Sequence, residues 1–141
     1  MNPESECAML IREIHTELEK NANNSLRQQD ITFSQVSVLM ELDASVGNRL
    51  DLKTLEKNLH VAQSTTVGIV HRLEKKNLVE VVGCQDDKRA KMVQMTKQGK
   101  ERCECAKEYM IETEQKLTHS LSEEEKQTLA LLLRKVRESY T

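Results

Sequence analysis

The chain has 141 residues, of which 38% are hydrophobic and 31% are charged, and its formal net charge is −2. A chain of this length can bury one core, which must be built from aliphatic side chains because aromatic residues make up only 2%. The composition predicts a helix-rich globular protein. It excludes a globally basic surface, so any site for nucleic acid must be a local patch.

The sequence carries no signal for insertion into a membrane or for export. No apolar run approaches the length of a membrane span, and the N-terminal sequence MNPESECAML lacks the basic and apolar regions of a signal peptide. We therefore expect a cytoplasmic protein that does not contact membranes. Its cysteines are few and irregularly spaced, which favours reduced thiols over a disulfide framework. They are Cys7, Cys84, Cys103 and Cys105.

The N-terminal segment predicts a long amphipathic helix. Asn2 can cap it and Pro3 suits its first position, where a missing N–H costs nothing. Apolar residues then recur at helical spacing at Cys7, Ile11, Ile14 and Leu18. This stripe needs a partner to cover it.

A second and a third helix follow. In ITFSQVSVLMEL, Thr32 and Gln35 form a capping box, while Ile31 and Val36 occupy the positions of a hydrophobic staple. The core face of this helix is predicted to be Val36, Leu39 and Met40. After the loop DASVGNR, Asp51 is the predicted N-cap of a short helix that places its leucines on one side. These leucines are Leu52, Leu55 and Leu59.

The fourth helix begins after HVA with a run of small uncharged polar residues, which is unusual in a chain so rich in charge. Its spacing predicts a buried face of Thr66, Ile69, Val70 and Leu73. The residues predicted to point outward are Gln63, Ser64, Thr65, Gly68, His71 and Arg72.

The remaining chain predicts a hairpin and two helices. LVEVV and KMVQM favour β-structure, and the charged connection GCQDDKRA joins them into a two-stranded hairpin. Thr96 then caps a long helix, and Ser122 with Glu125 forms the capping box of the last one. The long helix is predicted to bury Cys103, Ala106, Met110, Thr113 and Leu117, and the last helix Leu129, Leu132, Leu133 and Val136.

A helix, a short turn, a helix and a charged hairpin follow one another in the order of a winged helix-turn-helix. In that arrangement the second helix enters the major groove of DNA and the wing follows the backbone. Short hydroxyl and amide side chains at the start of that helix suit this role, because they can reach base edges and phosphates and the positive end of the helix dipole lies beside them. We therefore predict an α-rich protein that contains one winged helix-turn-helix lobe, at residues 31–97.

Within this lobe the predicted recognition helix covers about residues 62–76 and the wing about residues 78–96. The flanking helices, residues 2–29 and 97–140, are assigned to dimerisation, and the whole chain, residues 1–141, to one domain. The apolar stripes of these helices exceed what one small lobe can cover, so we expect an obligate homodimer. The residues expected at its interface are Ile11, Ile14, Met110, Leu117, Leu129 and Leu132.

The stretches LEKNLHVAQSTTVGIVHRLEKKNLVE and DDKRAKMVQMTKQGK resemble the MarR (multiple antibiotic resistance regulator) family of bacterial transcription factors. The matching features are the frame of the recognition helix, the D-x-R of the wing at Asp87 and Arg89, and MTKQG, which is similar to the family's L-T-x-x-G. The resemblance implies a homodimer knitted together by its first, fifth and sixth helices. It also implies that Arg89, oriented by Asp87, lies in or near the minor groove, and that a ligand binds between the dimer helices and the DNA-binding lobe.

The sequence departs from the family pattern in three places, which involve four residues. The turn before the recognition helix carries His60 where relatives commonly have Gly, although His is among the residues that tolerate a left-handed backbone. Gly68 stands where relatives often carry Arg inside the recognition helix. Asn77 and Val81, in NLVEV, replace the Gly and the Arg of a Gly-Leu-x-x-Arg pattern. Contacts with operator DNA therefore cannot be transferred from relatives at these positions.

The sequence thus predicts a regulator, more readily a repressor than an activator, that binds a palindromic operator and is released by a small ligand or an oxidant. The residues predicted to bind DNA are Gln63, Ser64, Thr65, Thr66, His71, Arg72, Lys88, Arg89 and Lys91. The small polar residues could instead simply start a helix, and His71 and Arg72 could be solvated surface. The alternative function is a winged helix that binds proteins without reading DNA.

Other chemistries find little support in the sequence. No nucleophile elbow, phosphate loop or H-E-x-x-H run is present, so we expect neither an enzyme nor a cofactor. No metal site is expected, because Cys103 and Cys105 face different sides of a helix and His71 with Glu74 is typical of solvated surface. Cys103 is interpreted as a small buried hydrophobe. Cys7 is a candidate redox sensor, whereas Cys84 has both acidic and basic neighbours and no clear push toward thiolate.

Overall fold

The computed structural model describes residues 3–83 and 91–140. Its elements are α1 Pro3–Leu26, α2 Phe33–Asp43, β1 Arg49–Asp51, α3 Leu52–Leu59, α4 Gln63–Lys75, β2 Val79–Gly83, β3 Lys91–Met95, α5 Lys97–Leu117 and α6 Glu123–Glu138. The chain divides into two compact units, residues 1–107 and 108–141, and α5 contributes to both. Within the described ranges, none of the helices combines the length and the apolar character needed to cross a membrane. The predicted fold class, mainly α with a small β wing, is confirmed.

The helix starts follow the predicted capping chemistry. In α2, Thr32 Oγ1 accepts a hydrogen bond from the Gln35 amide at 3.2 Å, and Gln35 Oε1 accepts one from the Thr32 amide at 3.3 Å. Ser122 and Glu125 form the same reciprocal pair at the start of α6. Asp51 caps α3 by accepting from the Thr54 amide at 2.8 Å. Local sequence alone therefore fixes three of the helix starts.

The sheet contains one strand more than the sequence predicted. Its order is β1-β3-β2 and both pairings are antiparallel, with Leu50 opposite Val93 and Val81 opposite the same residue on the other side. The prediction of a two-stranded hairpin was therefore incomplete. β1 is too short to show alternation, and its partner strand is distant in sequence, so no local signal announces it.

The core of the first unit is centred on α2. Val36 and Leu39 are buried as predicted, but Met40 is only half-buried, and the fully buried Val38 and Leu42 were not predicted. The reason is that α2 contacts α1, α3, α4, β1 and β3. A helix surrounded on several sides buries more than one stripe, so an amphipathic pattern underestimates its core.

The start of α5 docks closely against the turn that follows α4. Thr96 caps α5 as predicted, because its Oγ1 accepts a hydrogen bond from the Gly99 amide at 3.0 Å. The same hydroxyl donates to the Asn77 carbonyl at 2.7 Å, and the Thr96 amide donates to the Leu78 carbonyl at 3.1 Å. A Cβ on Gly99 would lie only 2.0 Å from that Leu78 oxygen. The T-x-x-G motif therefore has a physical basis: the threonine bridges two segments, and the glycine permits their close approach.

An ion cluster ties the end of α2 to α5. The Asp43 carboxylate, whose side chain is only 14% exposed, binds Nζ of Lys100 through one oxygen and Nζ of Lys107 through the other, at 2.8 Å in the second case. Hydrogen bonds from Lys100 and then from Lys107 hold the pKa of Asp43 below its ordinary value, although partial burial opposes them. The cluster therefore favours the ionised carboxylate.

We expect Asp43→Asn to lower the free energy of unfolding by about 1 kcal/mol at neutral pH, since both lysines are partly exposed and solvent weakens such pairs. A carboxylate with a depressed folded-state pKa stabilises the fold above its unfolded-state pKa, and the contribution is lost as the pH falls through the folded-state value. The difference between wild type and variant should thus shrink below about pH 4 and vanish at lower pH. Urea unfolding at a series of pH values measures it.

Asp30→Asn is the matched control, because the Asp30 side chain is 93% exposed and its carboxylate lies 4.0 Å from Lys76. This variant should unfold like wild type at every pH. If the difference caused by Asp43→Asn stays constant down to the lowest pH, the ionised cluster is not its source.

Candidate nucleic-acid interface

Helix α4 follows α3 after a tight turn at residues 60–62. His60 ends α3 with a left-handed backbone, at φ 56° and ψ 37°, and its amide bonds to the Lys57 carbonyl. The expectation that a non-glycine residue adopts this conformation is confirmed. At the other end of α4, Nζ of Lys76 donates to Gln35 Oε1 at 3.0 Å and to the Asp30 carbonyl. The turn at His60 therefore sets where α4 begins, and the Lys76 hydrogen bonds anchor its C-terminal end.

The burial of α4 agrees with the predicted periodicity. Its buried residues are Thr66, Ile69, Val70 and Leu73. Gln63, Ser64, Thr65, His71 and Arg72 are exposed, as predicted. The inclusion of Thr66 among the DNA-binding residues was wrong, because its side chain is 0% exposed and its hydroxyl donates to the Ala62 carbonyl at 3.2 Å. Thr66 shares the spacing of Ile69 and Leu73, which places it in the core.

The start of α4 is exposed and has no side-chain cap. Ala62 occupies the N-cap position, and no side chain accepts a hydrogen bond there. The first amides of a helix have no acceptor within the helix, and they form its partially positive end. Because α4 also lacks an acidic residue in its first turn, it presents free donors and no repulsive charge to an anion.

Helix α4 also has an exposed apolar residue that its sequence pattern was not used to predict. Val67 is 44% exposed and is out of phase with the buried residues. Because Val67 does not share the spacing of the buried residues, its exposure could have been predicted from the sequence. Elsewhere on the exposed surface of α4, Nη1 of Arg72 lies 3.6 Å from the position that a Cβ of Gly68 would occupy.

The wing is built on the antiparallel strands β2 and β3, in which Gly83 lies opposite Lys91. Lys91 is exposed, as a residue that contacts a DNA backbone must be. A cleft of about 470 Å³ separates α4 from the wing strands. Its apolar lining includes Val67, Val70 and Val81, and His71 and Lys91 also line it. The predicted DNA-binding residues Lys88 and Arg89, the orienting residue Asp87, and Cys84 lie outside the described residues.

Each unit carries apolar side chains that it does not cover. In the first unit, Ile11 and Ile14 on α1 are 49% and 45% exposed, so their stripe remains open. In the second unit, Leu117 and Leu132 are exposed, while Met110 and Leu129 are half-buried. The prediction that α6 buries its leucines is wrong within one chain, since Leu133 and Val136 are exposed together with Leu132.

The thiols differ in their access to solvent. Cys103 is fully buried, as predicted, and burial raises the pKa of its thiol. Cys7 and Cys105 are exposed. Among residues 3–83 and 91–140, no group of three His, Cys, Asp or Glu side chains has a geometry that could hold a metal ion.

Comparison with known proteins agrees with this arrangement. The model of the MarR family matches residues 29–90. The structure of MepR from S. aureus in its complex with DNA is 30% identical and superposes with a TM-score of 0.87 over 94% of this chain and 96% of MepR. A mutant of MarR from E. coli, complexed with operator DNA, is 28% identical with a TM-score of 0.84 over 96% of this chain and 99% of that one. This chain therefore belongs to the MarR family of transcriptional regulators.

A curated relative, the transcriptional activatory protein BadR from Rhodopseudomonas palustris, is 30% identical over 84 residues. The match covers 59% of this chain and 48% of BadR, so the chain spans about half the length of this relative. The resemblance inferred from sequence is thus confirmed at the level of the family. The family consists of regulators rather than enzymes.

Proposed function

We propose that the protein is a transcriptional regulator that binds a palindromic operator in double-stranded DNA as a homodimer. The observation that carries the proposal is the outward face of α4, which joins an uncapped helix start to exposed short polar side chains at Gln63, Ser64 and Thr65. Such groups can bond base edges and phosphates in a major groove. Two relatives with this fold, MepR and MarR, have been solved in complexes with DNA.

A homodimer follows from the open apolar stripes. A second copy of the chain offers the same stripes, and a twofold axis allows them to cover one another. A twofold dimer then presents two α4 helices, which read half-sites spaced about one helical turn, or roughly 10 base pairs, apart. The operator is therefore palindromic. We assign the activity to the cytoplasm, where bacterial operators lie.

Repression is the proposed mode, and a small molecule or an oxidant is the proposed signal for release. A dimer on its operator can block access of other proteins to the DNA without touching them. In the single chain the Cys7 thiol is exposed, so an oxidant can reach it where the second copy leaves it uncovered. If Cys7 senses oxidants, peroxide should release wild type from the operator and leave Cys7→Ser bound.

The function can be tested by comparing a predicted base contact with a predicted backbone contact. Gln63→Ala should weaken binding by about 1–3 kcal/mol on the operator and by much less on a scrambled duplex, because it removes base-edge hydrogen bonds. Arg89→Ala should weaken binding to both duplexes and lower the salt slope by about 1, because it removes a positive charge from the backbone contact. Fluorescence anisotropy at two salt concentrations measures both effects.

Gln98→Ala, an exposed substitution at the start of α5, is the control and should bind like wild type. Equal losses on both duplexes for the Gln63 and Arg89 variants would reassign Gln63 to phosphate contact. If neither variant loses affinity, the proposal of DNA binding is refuted. It is also refuted if neither duplex DNA nor heparin retains the wild-type protein at low salt. A winged helix that binds proteins would then take its place.

A further inference from the structure

Gly68 occupies a helical position at which the fold does not require glycine. It lies in the middle of α4, where Gly is unfavourable relative to Ala, and its φ is not positive. Among the described residues, the only atom outside the neighbouring backbone that lies within 4 Å of an added Cβ is Nη1 of Arg72, at 3.6 Å. Folding would therefore accept a side chain here.

The space above Gly68 is taken by the guanidinium of Arg72. Gly68 lies four residues after Ser64 and three before His71, so it shares the outward face with them, whereas Arg72 starts from the flank of the helix. By folding back one turn, the Arg72 side chain brings its charged end over Gly68. A flanking arginine ordinarily reaches phosphates beside the groove, but a guanidinium over the centre of the face is aimed at the bases.

The guanidinium is also free to bind. Arg72 is exposed, and within the described part of the chain its side chain has no hydrogen-bond or ion-pair partner. The first turn of α4, toward which the Arg72 side chain folds back, contains no acidic residue. The planar donors of arginine match the O6 and N7 acceptors of guanine, which is the commonest specific contact in a major groove.

We propose that Arg72, lying over Gly68, reads a guanine in each half-site and is a specificity-determining residue of this regulator. The inference rests on the proposed DNA-binding function and adds the residue and the base. Gly68 permits this contact because it has no side chain in the space that the guanidinium occupies. A side chain longer than alanine at residue 68 would displace the guanidinium toward the flank.

In the first step, the wild-type chain selects binding sequences from a pool of random-sequence duplexes. In the second step, each guanine of the best duplex is replaced in turn by 7-deazaguanine, which lacks the N7 acceptor, and the binding affinity is measured. We expect one guanine in each half-site at which this replacement weakens wild-type binding about tenfold. Arg72→Ala should bind the intact duplex more weakly and be indifferent to the replacement. Arg72→Lys should keep the charge but lose most of the discrimination.

Two further variants separate base reading from charge and from folding. Lys75→Ala removes one exposed positive charge from the same helix and should keep the full response to 7-deazaguanine. Gly68→Leu keeps Arg72 but fills the space above residue 68, so it should lose the response while its thermal unfolding temperature does not fall. Circular dichroism of each variant reports whether it is folded.

The outcomes are distinct. If Arg72→Ala and Lys75→Ala weaken both duplexes equally and each lowers the salt slope, Arg72 is a phosphate contact, and this inference fails while DNA binding stands. A selected sequence without a guanine that responds to the replacement also overturns it. If the selection enriches no sequence and wild type binds no duplex, the proposed function itself is wrong.

Discussion

Gly99→Ala is expected to lower the free energy of unfolding by about 3 kcal/mol, because overpacking at a rigid contact is costly. The new Cβ would lie 2.0 Å from the Leu78 carbonyl oxygen and 2.8 Å from Cγ of Met95. Backbone cannot yield as a flexible side chain can, so the start of α5 must move away from the turn after α4. That movement also stretches the hydrogen bond from Thr96 to the Asn77 carbonyl. Equilibrium unfolding in guanidinium chloride, at several protein concentrations, measures the loss of stability.

Two other glycines provide matched controls for this substitution. An added Cβ on Gly83 would meet nothing within 4 Å among the described residues, so Gly83→Ala should change stability little. Gly68→Ala should raise the stability by about 1 kcal/mol, because alanine is the better helix former and the site has room. If Gly99→Ala unfolds like Gly83→Ala, the close approach of α5 to the Leu78 carbonyl is not rigid.

Leu132→Glu is expected to abolish the dimer at micromolar concentration. Leu132 is 51% exposed in the single chain, and we propose that a second copy covers it. The substitution would bury a carboxylate from each copy, and an unpaired buried charge costs about 3–5 kcal/mol. The dissociation constant should therefore rise about a thousandfold or more, since each 1.4 kcal/mol is a factor of ten. Sedimentation velocity measures the dimer fraction.

Gln127→Glu adds the same charge to α6 away from the leucine face, and it should leave the dimer intact. DNA binding should follow the dimer fraction, since two helices reading one palindrome bind far more tightly than one. A Leu132→Glu chain that sediments as wild type would remove α6 from the interface. A wild-type chain that is monomeric would refute the dimer itself.

The sequence predicted those features whose cause is local. The capping boxes at Thr32 and Ser122 need only residues three apart, and the left-handed His60 follows from where one helix must end and the next begin. The buried face of α4 also follows from spacing alone. The candidate site was therefore largely predictable on α4, where the exposed polar residues are simply those left over from the core.

Features that depend on distant partners were missed or misjudged. β1 exists because β3 lies beside it, and Val38 is buried because α2 is covered on several sides. The leucines of α6 were placed in a core that one chain does not supply. The position of the Arg72 guanidinium could not be foreseen either, because it depends on a side-chain conformation over an absent Cβ.

Because Cys103 is buried, the reactivity of its thiol can report local opening of the fold without any engineered label. Its sulfur lies 3.7 Å from the Met40 sulfur, between α5 and α2, and its thiol is both inaccessible and disfavoured as thiolate. An alkylating reagent can reach it only when α5 separates from α2, so the rate of labelling reports the free energy of that opening. Cys105 is exposed, reacts without any opening and calibrates the reagent in the same tube. Comparing the rates with and without duplex DNA would show whether binding suppresses the separation of α5 from α2.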